Sequence, residues 1–282
     1  MARRTGESLP RALERKYARL VSILGDMERV LVAFSGGVDS TLLLKAAHDA
    51  LGRGAVAVTA ASVIHPAWET REARDIARAI GAPLRVLRVD PLEDRAFARN
   101  PPERCYLCKR KIFSRFLEIA RSRGIPWVLD GTNADDAGDF RPGMKALTEL
   151  GIRSPLKEAG LDKGEIRRLS RFLGLPTAAK PALACLASRF PYGTKIDKGS
   201  LERVGKAEDL MRELGFGRVR VRHHGAVARL EVDPAMIPRL VKADVRGKIS
   251  RGLKKLGYAY VALDLDGYRT GSLNETLKPR KR

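Results

Sequence analysis

The hydrophobic pattern of this chain alternates between short apolar runs and longer amphipathic stretches. A helical pattern over about Glu7–Gly25 comes first, and apolar runs then predict strands at Val30–Phe34, Ala55–Ala60, Leu84–Val89 and Trp127–Gly131. Apolar residues at three- and four-residue spacing predict the intervening helices, Asp39–Ala50, Ala67–Ile80 and Lys109–Arg123. This alternation is typical of an α/β fold in which helices cover a parallel sheet. Ligands of such sheets bind at the carboxyl ends of the strands.

The pattern changes near residue 197. It predicts a helix at Lys198–Leu214, two alternating runs joined at a His-Gly turn within Arg218–Val232, a helix at Ala243–Leu256 and a strand at Tyr258–Leu263. These elements form a smaller α+β domain. We therefore divide the chain into an N-terminal α/β domain, residues 1–196, and a C-terminal α+β domain, residues 197–282.

Composition and charge set limits on where the protein works and on its partners. No run approaches the roughly 18 apolar residues that span a bilayer, and the N-terminus lacks the apolar core of a signal peptide, so we expect a cytoplasmic protein without membrane contact. The net charge of +21 would suit RNA. The basic residues are nevertheless spread along the chain, and a small polyanionic substrate would suit them as well. Charge alone therefore does not predict a nucleic-acid partner.

The first predicted strand runs directly into Ser35-Gly36-Gly37-Val38-Asp39-Ser40 and then into a helix. Glycines let the backbone approach an anion closely, and the helix N-terminus adds N–H groups and a positive dipole end. The hydroxyls of Ser35 and Ser40 supply further donors. A bare Gly-Gly turn would be an ordinary strand-to-helix connection, but the whole string favours a cradle for nucleotide phosphates.

Asp39 is unusual in a phosphate cradle, because a carboxylate beside phosphate needs a cation between them. We interpret Asp39 as a ligand of Mg²⁺, the usual companion of nucleotide phosphates. The loop Asp130-Gly131-Thr132-Asn133 follows another predicted strand and should form the other wall of an ATP site through Gly131, Thr132 and Asn133. The motifs of P-loop NTPases and of dinucleotide-binding oxidoreductases do not occur in the sequence.

The chain has three cysteines, Cys105, Cys108 and Cys185. Cys105 and Cys108 fall in a predicted Pro-rich loop just before a helix, among basic residues that favour thiolates. Three thiolates without a nearby His suit a cubane iron–sulfur cluster with one open iron, whereas structural zinc would want a fourth ligand. A Cys-x-x-Cys redox pair and three separately acting thiols are alternatives that spacing alone leaves open.

The string Ser35–Ser40 resembles the PP-loop of the ATP pyrophosphatase superfamily. Together with further segments it resembles the LarE family over nearly the whole chain: Asp130–Asp136 with Arg141-Pro142-Gly143, Lys180–Tyr192, Val219–Gly225 and Asp266–Gly271. The resemblance implies an ATP-dependent sulfur transferase that adenylates the carboxylates of pyridinium-3,5-biscarboxylic acid mononucleotide and converts them to thiocarboxylates. The product belongs to the assembly of the nickel-pincer nucleotide cofactor.

The resemblance also implies how sulfur is delivered. Some members sacrifice the sulfur of one cysteine, which falls in the segment matching Cys185, and others hold a [4Fe–4S] cluster on three cysteines that carries a sulfide. Because this chain also has Cys105 and Cys108, it resembles the cluster type. The family further implies a homo-oligomer, a hexamer or another trimer-based assembly. A sulfide-donor protein is a candidate partner, and the sequence leaves the source of the sulfide open.

A substrate with a phosphate and two carboxylates needs cations. Arg220 and Arg222 lie on one face of the predicted strand, and a solvated strand face is the alternative interpretation of this pair. Ser188 and Arg189 follow the third cysteine and are candidates to orient the substrate, and Arg269 matches a basic family position. The rival functions are tRNA thiolation, sacrificial transfer from Cys185 without a cluster, and a non-catalytic nucleotide-binding scaffold.

Overall fold

The structure of the protein is a computed structural model that describes residues 8–138, 142–181 and 184–277. The chain forms two compact units, each of two segments. Unit 1 is Met1–Asp90 with Glu103–Leu183, and unit 2 is Pro91–Pro102 with Ala184–Arg282. Glu7, Arg141, Ala182 and Leu183, which belong to predicted segments, lie outside the described residues.

The secondary structure confirms the predicted order of strands and helices. The strands are β1 (Val30–Ala33), β2 (Ala55–Ala61), β3 (Leu84–Arg88), β4 (Trp127–Leu129), β5 (Val219–His224), β6 (Val227–Val232) and β7 (Tyr260–Leu263). The helices are α1 (Arg11–Gly25), α2 (Val38–Leu51), α3 (Ala67–Ile80), α4 (Arg95–Ala98), α5 (Arg104–Ser122), α6 (Pro142–Glu149), α7 (Pro155–Glu158), α8 (Lys163–Phe172), α9 (Lys198–Glu213), α10 (Ile237–Leu240) and α11 (Ala243–Lys255).

Unit 1 contains a parallel sheet with the strand order β3-β2-β1-β4. Side chains of a strand point alternately to the two faces. In β1, Val30 and Val32 accordingly join a core cluster with α1, α2, α3 and α8, whereas Leu31 joins a second cluster with α5 and α6. Because both faces are apolar and buried, the sheet is covered by helices on both sides, which confirms the predicted α/β fold.

Helix α5 begins at Arg104, five residues before the predicted start at Lys109. The prediction that Cys105 and Cys108 lie in a loop is therefore wrong. Nothing after Pro102 interrupts a helix, and Phe113 and Phe116 anchor the later turns in the core. The two cysteines lie three residues apart within the helix, so they share one helical face.

Unit 2 is a small α+β structure, as predicted. β5 and β6 form an antiparallel hairpin around Gly225, and β7 pairs in parallel with β6. Val219 and Val221 of β5 pack into a core with residues of α9 and α11. Arg220 and Arg222 point to the other face of the same strand, because side chains alternate along it.

The domain division at residue 196 stays a prediction. In the structure, residues 184–196 belong to unit 2. Within the described ranges, the helices are all too short or too polar to cross a membrane.

Candidate active site

The glycine loop, Ser35–Ser40, joins β1 to α2 and is held by hydrogen bonds among its own residues. The hydroxyl oxygens of Ser35 and Ser40 lie 3.0 Å apart, and the Ser40 hydroxyl donates to the Gly37 carbonyl at 3.2 Å. Gly36 has a φ of +69°, a left-handed conformation that favours glycine. Helix α2 begins at Val38 without a side-chain cap, so its first turn can receive an anion.

The loop after β4 approaches the same helix end. A Cβ added to Gly131 would lie 3.1 Å from the backbone nitrogen of Ser40, so only glycine allows this approach without displacement. Asn133 Nδ2 donates to Asp39 Oδ1 at 3.2 Å, and the Thr132 hydroxyl donates to Asp130 at 2.5 Å. The structure thus brings Gly131 and Asn133 next to the glycine loop. A role of Gly131, Thr132 and Asn133 in binding ATP stays a prediction.

Lys163 is a residue of this site that the sequence reasoning missed. Its ammonium donates to Asp39 Oδ2, so the Asp39 carboxylate lies between an amide and a cation. Asp162 and Glu165 form a reciprocal capping box at the start of α8, which fixes Lys163 in the first helical turn. The capping box is readable in the sequence, but nothing in the sequence indicates that Lys163 reaches Asp39.

The donor set at the glycine loop is compatible with Mg²⁺. Magnesium is usually bound through one or two carboxylates together with substrate phosphates and waters. Asp39 supplies one carboxylate beside a helix N-terminus that suits phosphates, and this composition fits such a site. In the described ranges no three His, Cys, Asp or Glu side chains are grouped to hold a metal ion without other ligands.

The cysteines are divided between the two units. Cys105 is exposed and Cys108 is half-buried, both on the first turns of α5 in unit 1, whereas Cys185 is half-buried in unit 2. Two thiols on one helical face fit two of the three ligands of a cubane cluster. The described residues form no complete cluster site on their own.

Cys185 lies at the start of a tight turn, Leu186–Arg189, that a buried ion pair secures. Arg189 Nη1 donates to the carbonyls of Ala184 at 2.7 Å and Cys185 at 3.0 Å, and the Ser188 hydroxyl donates to the Cys185 carbonyl at 2.8 Å. The Arg189 guanidinium is also paired with Glu208 at 2.7 and 2.9 Å. Burial opposes its charge, but Glu208 outweighs burial and the pKa of Arg189 is raised.

The two strand arginines are buried, so the solvated-face interpretation is wrong. Arg222 is 7% exposed and forms a bidentate pair with Glu231 at 2.9 and 2.7 Å. It also donates to the Ser188 carbonyl at 2.6 Å and to the Ser272 hydroxyl at 2.8 Å. Arg222, Ser188, Arg189 and Cys185 therefore form one connected group in unit 2.

Arg220 differs from its neighbours because its charge is not balanced. It is 8% exposed, donates to the Val219 carbonyl at 2.8 Å and stacks 5.1 Å above the ring of Tyr268. No carboxylate in the described part of the chain forms a salt bridge with it. Burial, and then the nearby charge of Arg189, lower the pKa of Arg220. A buried cation of this kind is suited to an anionic ligand.

Arg269 lies in the loop after β7 among three carboxylates. Its guanidinium is 3.0 Å from Asp266, 3.3 Å from Glu275 and 3.7 Å from Asp264. The hydrogen bond to Glu275 is the main reason that the pKa of Arg269 is raised. Its charge is thus already balanced, and a substrate contact by Arg269 stays a prediction.

Comparisons with known proteins show which family the chain resembles. Residues 9–95 match the PP-loop domain family. The chain is 43% identical over 266 residues to pyridinium-3,5-bisthiocarboxylic acid mononucleotide synthase of Lactiplantibacillus plantarum, covering 94% of this chain and 96% of that protein. It is 42% identical over 265 residues to an uncharacterized protein of a Synechocystis species, and the match covers 94% of this chain and 99% of that protein. Similarity to a tRNA-specific 2-thiouridylase of Leptospira biflexa is weaker. The identity is 26% over 218 residues, which cover 63% of this chain and 57% of that protein.

The glycine loop, the parallel sheet and the PP-loop match define a protein of the PP-loop class. Together with the similarity to the bisthiocarboxylic acid synthase, they support an ATP-dependent sulfurtransferase. Within that class the chain belongs to the LarE family, because a relative above 40% identity aligns with nearly its whole length.

Proposed function

We propose that this enzyme adenylates the carboxylates of pyridinium-3,5-biscarboxylic acid mononucleotide with ATP and converts them to thiocarboxylates for the nickel-pincer nucleotide cofactor. The observation that carries this proposal is the 43% identity, over 94% of the chain, to a synthase named for the bisthiocarboxylic acid product. The glycine loop supports the ATP half of the reaction, and the unbalanced charge of Arg220 supports an anionic second substrate.

The adenylation step makes an unreactive carboxylate reactive. A carboxylate oxygen of the substrate attacks the α-phosphorus of ATP, and the bond from that phosphorus to pyrophosphate breaks. The N–H groups of the glycine loop and the first turn of α2 hold the phosphates. Asp39 would hold Mg²⁺, which neutralises charge on the departing pyrophosphate. Lys163, paired with Asp39, adds a cation at the same place.

The sulfur step replaces the activated oxygen. Sulfide attacks the acyl carbon, the bond from that carbon to the AMP oxygen breaks, and AMP leaves with the electron pair. Cys185 is proposed to lie at this chemistry, on a turn that Arg189 and Ser188 hold in one conformation. Fixing the turn limits the freedom of the thiol, which favours a productive orientation.

We further propose that Cys105, Cys108 and Cys185 are the ligands of a [4Fe–4S] cluster. The support for it is the pair of thiols on one face of α5 together with the third cysteine in the family segment. When bound, such a cluster would carry the transferred sulfide, so Cys185 would be retained. The alternative is a sacrificial transfer in which Cys185 itself loses sulfur.

Arg220 is proposed to bind the phosphate or a carboxylate of the substrate. Arg189 and Arg222 already have carboxylate partners, Glu208 and Glu231, so we assign them a positioning role in addition to the predicted substrate contact. Ser188 and Arg269 remain proposed substrate contacts.

A trimer-based homo-oligomer, a sulfide-donor protein and a cytoplasmic location are also part of this proposal.

The decisive experiment incubates the oxygen-free protein with Mg-ATP, sulfide and pyridinium-3,5-biscarboxylic acid mononucleotide, and measures pyrophosphate and thiocarboxylate product by mass spectrometry. Substrate-dependent pyrophosphate release with a gain of sulfur supports the proposal. Arg220→Met should raise the KM for the mononucleotide by about 10-fold or more, the value of a lost charged hydrogen bond. Arg218→Met is the matched control, because exposed Arg218 stacks on the same Tyr268 ring at 5.5 Å.

Two results would contradict the proposal. Release of pyrophosphate only with unmodified tRNA, accompanied by thiolation of the tRNA, would replace the mononucleotide by RNA as the substrate. ATP binding without pyrophosphate release under any of these conditions would favour a nucleotide-binding scaffold.

A further inference from the structure

A lysine far along the chain holds one peptide of the glycine loop. Lys180 Nζ donates to the carbonyl of Gly36 at 2.9 Å and to Glu72 Oε2 of α3 at 2.7 Å. The Lys180 side chain is only 13% exposed. All three residues belong to unit 1.

Lys180 is itself held in place from two directions. Arg167 of α8 donates to the carbonyls of Ala178 at 2.7 Å and Lys180 at 2.8 Å, which fixes the backbone of this segment. The ammonium lies 6.0 Å from the ring centroid of Trp68 and is paired with Glu72, both on α3. The lysine is therefore a fixed donor rather than a mobile surface cation.

The bond to Gly36 determines where the next N–H group points. In a trans peptide the carbonyl of one residue and the N–H of the next point in opposite directions, and the described residues contain no cis peptide. With its carbonyl turned to Lys180, the Gly36–Gly37 peptide turns the Gly37 N–H into the loop, where it donates to Ser35 Oγ at 3.3 Å.

This peptide has little steric resistance to rotation, because neither Gly36 nor Gly37 has a Cβ. A rotated peptide would present a carbonyl oxygen, instead of an N–H group, to the interior of the loop. An oxygen there would repel phosphate. The same glycines that let the backbone approach an anion thus leave its orientation undetermined by local sterics.

We propose that Lys180 is a positioning residue for ATP: its bond to the Gly36 carbonyl keeps the Gly37 N–H directed into the phosphate cradle. This inference rests on ATP binding at the glycine loop. Glu72 has a secondary part in it, since its carboxylate accepts from the ammonium and orients it.

The test is the affinity of the full-length protein for Mg-ATP and for adenosine, measured by calorimetry. Lys180→Met should weaken ATP binding by about 10- to 100-fold, the value of a hydrogen bond to a charged group, and should leave adenosine binding within about 2-fold. Lys180→Arg keeps a cationic donor and should recover most of the ATP affinity. A general loss of structure would instead weaken adenosine binding and would not be rescued by arginine.

Two control variants sharpen the test. Lys45→Met removes a lysine of α2 that is paired with Asp49 and should leave ATP affinity unchanged. Glu72→Gln keeps an acceptor for Lys180 and should change ATP affinity by no more than about 3-fold, below the value of a typical neutral hydrogen bond. Lys180→Gln, with a shorter neutral side chain, is measured as well in case the methionine variant does not fold, and should also weaken ATP binding.

An ATP affinity of Lys180→Met or of folded Lys180→Gln within about 2-fold of wild type would overturn the inference. An equal loss of ATP affinity in Glu72→Gln and Lys180→Met would also overturn it, because the ion pair with Glu72, and not the bond to the Gly36 carbonyl, would then determine ATP binding. The outcome is independent of the sulfur chemistry: a wild-type protein that binds ATP without releasing pyrophosphate contradicts the proposed function and still permits this test.

Discussion

The ion pair between Arg189 and Glu208 makes a quantitative prediction about stability. Glu208 has no exposed surface and accepts from Arg189 Nε and Nη2 and from the backbone N–H of Val221 at 3.1 Å. Glu208→Gln keeps the shape of the side chain and removes its charge. Arg189, which is 2% exposed, would then be a buried cation without its main partner.

Breaking a buried pair by removing one partner costs about 3–5 kcal/mol, because the remaining charge is neither solvated nor paired. Arg212 on α9 lies 3.4 Å from Glu208, so its charge adds to the imbalance. We therefore expect Glu208→Gln to lower the free energy of unfolding by about 3 kcal/mol. The turn at Cys185 should loosen with it, since the same guanidinium holds two carbonyls of that turn.

The assay is urea unfolding of the full chain followed by circular dichroism. Asp209→Asn is the matched control, because Asp209 is the next residue of α9, is half exposed and pairs with Arg212; it should change stability by less than about 0.5 kcal/mol. The double variant Arg189→Gln with Glu208→Gln should be more stable than the sum of the single changes by about 2 kcal/mol. The reasoning would be refuted if Glu208→Gln lowered the free energy of unfolding by less than about 1 kcal/mol. It would also be refuted if the losses of the two single variants added strictly in the double variant.

Three further predictions concern metal, cluster and pH. Asp39→Asn should lower pyrophosphate release by about 100-fold or more with the secondary structure unchanged by circular dichroism, because it removes the carboxylate that we propose to hold Mg²⁺; near-normal release would exclude this role. Cys105→Ala or Cys108→Ala should abolish iron, acid-labile sulfide and cluster absorbance in protein purified without oxygen, and unchanged multiple turnover would contradict the cluster. Burial lowers the pKa of His65 from 6.5 to about 4, so its neutral form is favoured in the folded state. Stability should therefore fall as the pH drops from 6.5 toward about 4, by up to about 1.4 kcal/mol per pH unit, and His65→Gln should flatten this dependence in urea titrations at several pH values. An equally steep dependence in the variant would assign the effect to other groups.

The sequence alone determined the features that depend on local order. Apolar runs and period-3.6 patterns predicted the strands and the helices α1, α2, α3, α5, α9 and α11 in their observed order, since each pattern follows from which residues of an element are buried. The helices α4, α6, α7, α8 and α10 were not predicted. Ala67–Ile80 was predicted with the bounds that α3 has in the structure. The glycine loop was also readable, because a strand, two glycines and a helix N-terminus are adjacent in the chain. The start of α5 was predicted too late, since polar and basic residues in its first turns hide the helical periodicity.

The tertiary structure decided which charges are balanced. Arg189, Arg220 and Arg222 are equivalent as sequence letters, yet Glu208 and Glu231 neutralise two of them and leave Arg220 as the candidate for an anion. Lys163 at Asp39 and Lys180 at Gly36 are separated from their partners by 124 and 144 residues. No local pattern encodes such pairs, because they depend on how packed elements bring distant side chains together. The sequence therefore determined where the glycine loop lies, and only the folded chain decided which cations lie beside it.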